Sequence, residues 1–243
     1  MKKFIKIAAI IIALVSNSAA QNLKVFAASS TKFAMQEIVE EFKQEHPKDS
    51  IEVTYSATGK AYAQLLNGLS YDIFMAADSL YPKKIAEDGN ALGEIKVYAL
   101  GRLALFAHDP NLLKEGLESL KNKSVKHISI ANPKVAPYGV AAMEILKNYN
   151  LLGDVKSKLV LGDNIAQSMQ FVDSGAAEVG IVAFSLIKNK KENHYLPIDP
   201  TKYKPLEHSF VLTKYAKEKP LAQEFADFIL SQKSQEIFKK CGF

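Results

Sequence analysis

Ser29, Ser30 and Thr31 stand between a short apolar run (Leu23, Val25, Phe26) and apolar residues at helical spacing, Met35, Ile38, Val39 and Phe42. Hydroxyls at such a strand-to-helix turn bring O–H donors onto the free backbone N–H groups and the positive end of the helix dipole, a combination that attracts an anion. Serine and threonine are equally ordinary helix caps, so this turn alone leaves both readings open. The pattern recurs, however. Ser56-Ala57-Thr58-Gly59-Lys60 joins an alternating strand (Ile51, Val53, Tyr55) to a helix bearing Tyr62, Leu65, Leu66 and Leu69. Ala136 to Gly139 and Asp163 to Ala166 occupy two further helix starts, and none of these turns has a positive charge at its centre. Such turns suit an ionised oxyanion held by neutral donors and dipoles, each bond to the charge contributing about 1.5–3 kcal/mol. Neutral donors also permit release.

Other chemistries find less support. A phosphate-binding P-loop needs glycine and serine or threonine where the chain has Thr54 and Ala61. Lys60 reads as a solvated first-turn lysine, and Asp72 and Asp78 as turn and cap residues rather than a paired acid and base. No serine lies in a G-x-S-x-G elbow. The five histidines (46, 108, 127, 194 and 208) lack metal-ligand spacing and read as surface or loop residues. The chain is therefore expected to be a binding protein rather than an enzyme. An exported phosphatase or sulfatase would have only Asp72, Asp78 and the hydroxyls to work with.

The elements that must position these turns alternate between strand and helix. Asp72 to Ala77 is apolar on both faces, as a buried strand is, and a helix follows from near Pro82 to Gly89. Val97 to Ala107 is the longest strand-like run, broken at Gly101-Arg102, where the chain can pass between lobes. Strands around Ile128, Leu159 and Val179 alternate with helices over 140–149 and 165–175, and a strand over Phe210 to Leu212 crosses back. This predicts an α/β protein of two lobes, each a central, mostly parallel sheet flanked by helices. The expected division is 21–101 plus 206–243 for one lobe and 102–205 for the other, with the ligand cleft between them. Ligands in such sheets lie beyond the carboxyl ends of strands, where the hydroxyl turns fall.

Residues 1–20 read as a cleaved secretory signal: Lys2, Lys3 and Lys6, an apolar Ile7 to Val15 core, then Ser18-Ala19-Ala20. Without its three lysines the net charge of +5 falls to +2, which gives no support to a nucleic-acid partner. The single cysteine, Cys241, can serve neither an internal disulfide nor a lipid anchor next to the leader. These features point to a free periplasmic monomer without membrane insertion.

The segments VFAASSTKFAMQEI, YSATGKAYAQLLNG with YDIFMAAD, ANPKVAPYGVAA and GDNIAQSMQFVDSGAAEVGIVAFS together resemble the molybdate-binding periplasmic proteins of ABC importers, the ModA family. The resemblance runs in order through nearly all of the mature chain. It implies a type II periplasmic binding protein that closes on molybdate or tungstate and delivers it to a membrane permease, with no cofactor and no protein side chain on the metal itself. Sulfate or phosphate are the alternative ligands. Carried over by position, the oxyanion contacts fall on Ser30 with Ser29 beside it, on Thr58, and on the backbone donors of Tyr138 and Ile165. Gly59 and Ser185 are weaker candidates. The tyrosine some family members use after the last core strand is replaced by Ala183, followed by Phe184 and Ser185, and Tyr138 is the residue that could supply a hydroxyl instead.

Overall fold

The structure is a computed structural model that describes residues 20–243. The leader expected over 1–20 therefore lies, but for its last residue, outside the described residues. The chain opens with β1 (Asn22–Ala28), a turn of 3-10 helix and α1 (Lys32–Glu45), then β2 (Ser50–Ser56), α2 (Thr58–Leu66), β3 (Ile73–Met75), α3 (Leu80–Glu87) and β4 (Ala91–Gly101). It continues through β5 (Leu103–Ala107), β6 (Ile128–Ala131), α4 (Pro137–Asn148), α5 (Leu152–Val155), β7 (Leu159–Gly162) and α6 (Ile165–Asp173). The last part holds β8 (Val179–Ala183), α7 (Phe184–Ile187), β9 (Tyr195–Pro197), β10 (Leu206–Thr213), α8 (Pro220–Leu230) and α9 (Gln232–Lys240).

These strands form two five-stranded sheets, in the orders β2-β1-β3-β10-β4 and β7-β6-β8-β5-β9. Each sheet is half parallel: β1 pairs in parallel with β2 and β3, and β6 with β7 and β8. The other half is antiparallel, because β4, β5 and β10, which carry the chain out of one sheet and back, run against their neighbours. The result is an α/β protein of two lobes whose sheets are mixed rather than mostly parallel.

β1 shows why its sequence is apolar throughout. Leu23, Val25 and Ala27 face Met35, Ile38 and Phe42 of α1, while Phe26 on the other face packs with Phe74, Ala61, Leu65 and Ile85. A central strand covered by helices on both sides has no solvent face to mark with polar residues. A further core, including Leu103, Leu105, Ile128, Ile130, Ile145 and Ile181, fills the second lobe and reaches Ala28, Ala57 and Ala77 of the first.

Several boundaries differ from the sequence reading. α4 begins at Pro137 rather than Val140, since proline's fixed backbone angle and missing N–H suit the first helical position. α3 begins at Leu80, ahead of Pro82. The run expected over 97–107 is two strands in different sheets, the first starting at Ala91. β4 lies at a sheet edge and carries Glu94 and Lys96, which hides its first half from an apolar-run criterion. At the break, Gly101 has no room for a side chain: a Cβ would lie 2.4 Å from the Tyr138 hydroxyl and 2.5 Å from His208 Cε1.

Candidate functional site

β1 and β2 each end in a turn that starts a helix, so their carboxyl ends deliver Ser29, Ser30 and Thr58 to one side of the first sheet. From the second lobe, α4 and α6 present Tyr138 and Ile165. These five residues line one small cavity between the lobes, together with Ala28, Ser56, Ala57, Ala77, Ala136 and Pro137. Its volume is about 10 Å³, and among the described residues no charged side chain lines it. Larger hollows of about 420 and 600 Å³ lie beside Lys217 and beside Phe243, away from the strand ends where the hydroxyl turns gather.

The helix starts around the cavity are largely uncapped. Neither the turn at Ser29–Thr31, nor α2, nor α4 has a side chain accepting from its first N–H groups. Free first-turn donors need an acceptor from elsewhere, and an anion supplies one. At α6 the Asn164 carboxamide accepts from Ala166 N (3.0 Å) and Gln167 N (3.1 Å), which leaves the Ile165 N–H to the cavity.

The hydroxyls divide by what they already do. Thr58 Oγ1 accepts from Ala77 N at 3.2 Å, and Ser29 Oγ accepts a long bond from Ala166 N at 3.4 Å. Both therefore keep their own protons to donate. Ser30 differs: its Oγ lies 2.9 Å from His208 Nε2. Thr31 occupies the cap position of α1, but its hydroxyl donates to Ala28 O at 2.8 Å and does not cap the helix.

Two sequence candidates lie beside the cavity with their polar groups engaged in protein bonds. The Gly59 N–H donates to Val135 O at 2.8 Å, and Ser185 Oγ donates to the Ser30 carbonyl at 2.8 Å. Both bonds cross from one lobe to the other. Lys60 is not simply solvated, because its Nζ lies 2.9 Å from Asp163 Oδ1 across the cleft mouth. Both side chains are substantially exposed, so this pair contributes at most about 1 kcal/mol.

His208 is the residue that sequence reasoning missed. Far from being at the surface, it is fully buried on β10. Its Nδ1 lies 3.0 Å from the Leu206 carbonyl, which can only accept, so Nδ1 carries the proton and Nε2 offers a lone pair. Burial lowers its pKa from 6.5 to about 4, and the ring is neutral at pH 7. The available signal was period-two alternation, which sets His208 on one face with Leu206 and Phe210. Burial also pushes the Tyr138 phenol up, partly offset by its hydrogen bond with Ser30.

Both aspartates are held in bonds of their own. Asp72 lies at the opposite end of β1, accepting from Lys24 N at 2.7 Å and pairing with Lys219 Nζ at 2.8 Å. Asp78 accepts from Tyr81 N at 3.2 Å beside the start of α3, and burial raises its pKa. Among the described residues no three His, Cys, Asp or Glu side chains form a metal-binding group, and no helix is long and apolar enough to cross a membrane.

Two mixed sheets joined by crossing strands, with uncapped helix starts meeting in the cleft, define the class of two-lobed solute-binding proteins. Residues 23–243 match the family described as bacterial extracellular solute-binding protein. The chain is 36% identical over 233 residues to the molybdate-binding protein ModA of Azotobacter vinelandii, covering 93% of this chain and 91% of that protein. It is 34% identical over 194 residues to the ModA of Rhodobacter capsulatus, covering 79% and 77%. The solved periplasmic molybdate-binding protein of A. vinelandii superimposes with a TM-score of 0.85 at 29% identity, covering 90% of this chain and 97% of that one. The chain belongs to the bacterial extracellular solute-binding protein family, and within it to the ModA group.

Proposed function

We propose that this protein is the periplasmic binding component of an ABC importer that captures molybdate, and tungstate with it, and passes the ion to a membrane permease. The observation that carries this reading is the uncharged cavity ringed by helix starts. In it, the Ser29 and Thr58 hydroxyls and the Tyr138 and Ile165 N–H groups donate to the anion, and Ser30 adds a donor from its turn. Bonds to a charge contribute about 1.5–3 kcal/mol each, so five donors can offset much of the dehydration of a dianion. Relatives at 36% and 34% identity named molybdate-binding protein support the choice of ligand.

In the same reading residues 21–101 with 206–243 form one lobe and 102–205 the other, the chain works as a monomer, and the leader over 1–20 directs export. The protein acts by binding alone. The aspartates that would serve a hydrolase are engaged in structural bonds, Asp72 at the far end of β1.

A thermal-shift panel of molybdate, tungstate, sulfate, phosphate and chromate tests the reading. A ligand at about a hundred times its dissociation constant stabilises by about 2.7 kcal/mol, so molybdate and tungstate are expected to raise Tm by several degrees and sulfate by much less. No shift with either metal oxyanion contradicts the proposal. A larger shift with sulfate or phosphate assigns the site to that anion instead.

A further inference from the structure

His208 stands behind Ser30 and Tyr138, which line the cavity from the two lobes. Its Nε2 is 2.9 Å from Ser30 Oγ of the first lobe and 3.5 Å from the Tyr138 hydroxyl of the second. Tyr98, Tyr138 and Phe243 hold the ring at centroid distances of 5.9, 5.6 and 5.2 Å, all edge-on, and Gly101 abuts it. A ring so confined keeps its lone pair aimed at one place. With Nδ1 donating to Leu206 O, that lone pair is a single acceptor facing two hydroxyl donors.

The shorter contact belongs to Ser30, whose proton therefore goes to the imidazole and not to the cavity, while its oxygen also lies beside the Tyr138 hydroxyl. An anion that takes the Ser30 proton would leave Nε2 as a buried acceptor without a donor, which is costly. Among the described residues Tyr138 is the other hydroxyl placed to replace it, and 3.5 Å is the outer limit of such a bond. A small inward shift of the phenol, which is carried by the other lobe, completes it.

We propose that His208 is a positioning residue of the oxyanion site, a shared acceptor that passes from Ser30 to Tyr138 when the anion binds and so releases the Ser30 hydroxyl to the ligand. This rests on the oxyanion reading of the cavity. It makes Tyr138 contribute through its hydroxyl without that hydroxyl touching the anion. The neutral state of the ring, favoured by its complete burial, is the state the exchange requires.

The test is molybdate titration of the full mature chain and of the variants Tyr138→Phe, His208→Phe and the double variant. Tyr138→Phe is expected to bind roughly tenfold more weakly, because anion binding then orphans Nε2. His208→Phe keeps the aromatic packing and removes the competitor for the Ser30 proton, so binding tightens by about threefold or more. In the double variant there is no acceptor to orphan, and affinity returns to that of His208→Phe. Equal losses from Tyr138→Phe in both backgrounds would make the phenol a direct ligand and overturn the proposal, as would no loss in either. Nitrogen-15 NMR of His208 in the unaltered protein gives an answer that does not depend on the variants folding. Nδ1 should stay protonated and Nε2 unprotonated and hydrogen-bonded, before and after molybdate. An imidazolium, or an Nε2 that loses its donor in the complex, overturns the exchange. If the unaltered chain binds no molybdate, the oxyanion reading itself fails.

Discussion

His208 is harder to protonate in the folded protein, where its pKa is about 4, than in an unfolded chain, where it is about 6.5. Between those values the unfolded chain binds the extra proton, so folding stability is full above about pH 6.5 and is lost as pH falls toward 4. The full shift corresponds to about 3 kcal/mol. Melting curves should therefore show Tm declining more steeply from pH 7 to pH 4 in the native protein than in His208→Phe. Parallel declines would mean that His208 is not the buried neutral group. The hydroxyls at 29, 30 and 58 were legible in the sequence because helix starts advertise themselves through apolar spacing. A lone histidine in a strand advertises nothing, since its meaning comes from Ser30, 178 residues away in the chain.

At the scale of elements, the start of α2 shows how a helix turn can fasten as well as bind. Gly59 donates across the cleft to Val135 O, and a Cβ there would lie 2.9 Å from that carbonyl and 2.4 Å from the Tyr81 hydroxyl. The tyrosine tip can swing away, but the Val135 carbonyl is backbone and can move only with its lobe. Gly59→Ala should consequently resist closure, with molybdate affinity falling roughly tenfold and Tm of the ligand-free protein little changed. Small-angle scattering that shows the variant contracting on molybdate as fully as the native protein would rule this out. The alternation of strand and helix was readable from apolar periodicity, but the antiparallel course of β4, β5 and β10 was not. Strand direction follows from how the chain returns between sheets, and no local residue pattern encodes it.

On the scale of the whole molecule, the core of the second lobe takes in Ala28, Ala57 and Ala77 of the first, and the lobes also touch around the cavity through bonds such as Ser185 Oγ to Ser30 O and Lys60 to Asp163. Neither partner of the Lys60–Asp163 pair signalled the other in the sequence, because their proximity exists only when the lobes meet. The result is an uncharged chamber into which helix dipoles and hydroxyls point, suited to a tetrahedral dianion. The most direct test is titration calorimetry of molybdate into the purified, ligand-free mature chain, followed by tungstate into the saturated complex and by a repeat in excess sulfate. One molybdate per chain, competition from tungstate and indifference to sulfate are expected. Absence of binding heat, or a molybdate signal abolished by sulfate, would contradict a chamber built for the larger oxyanions.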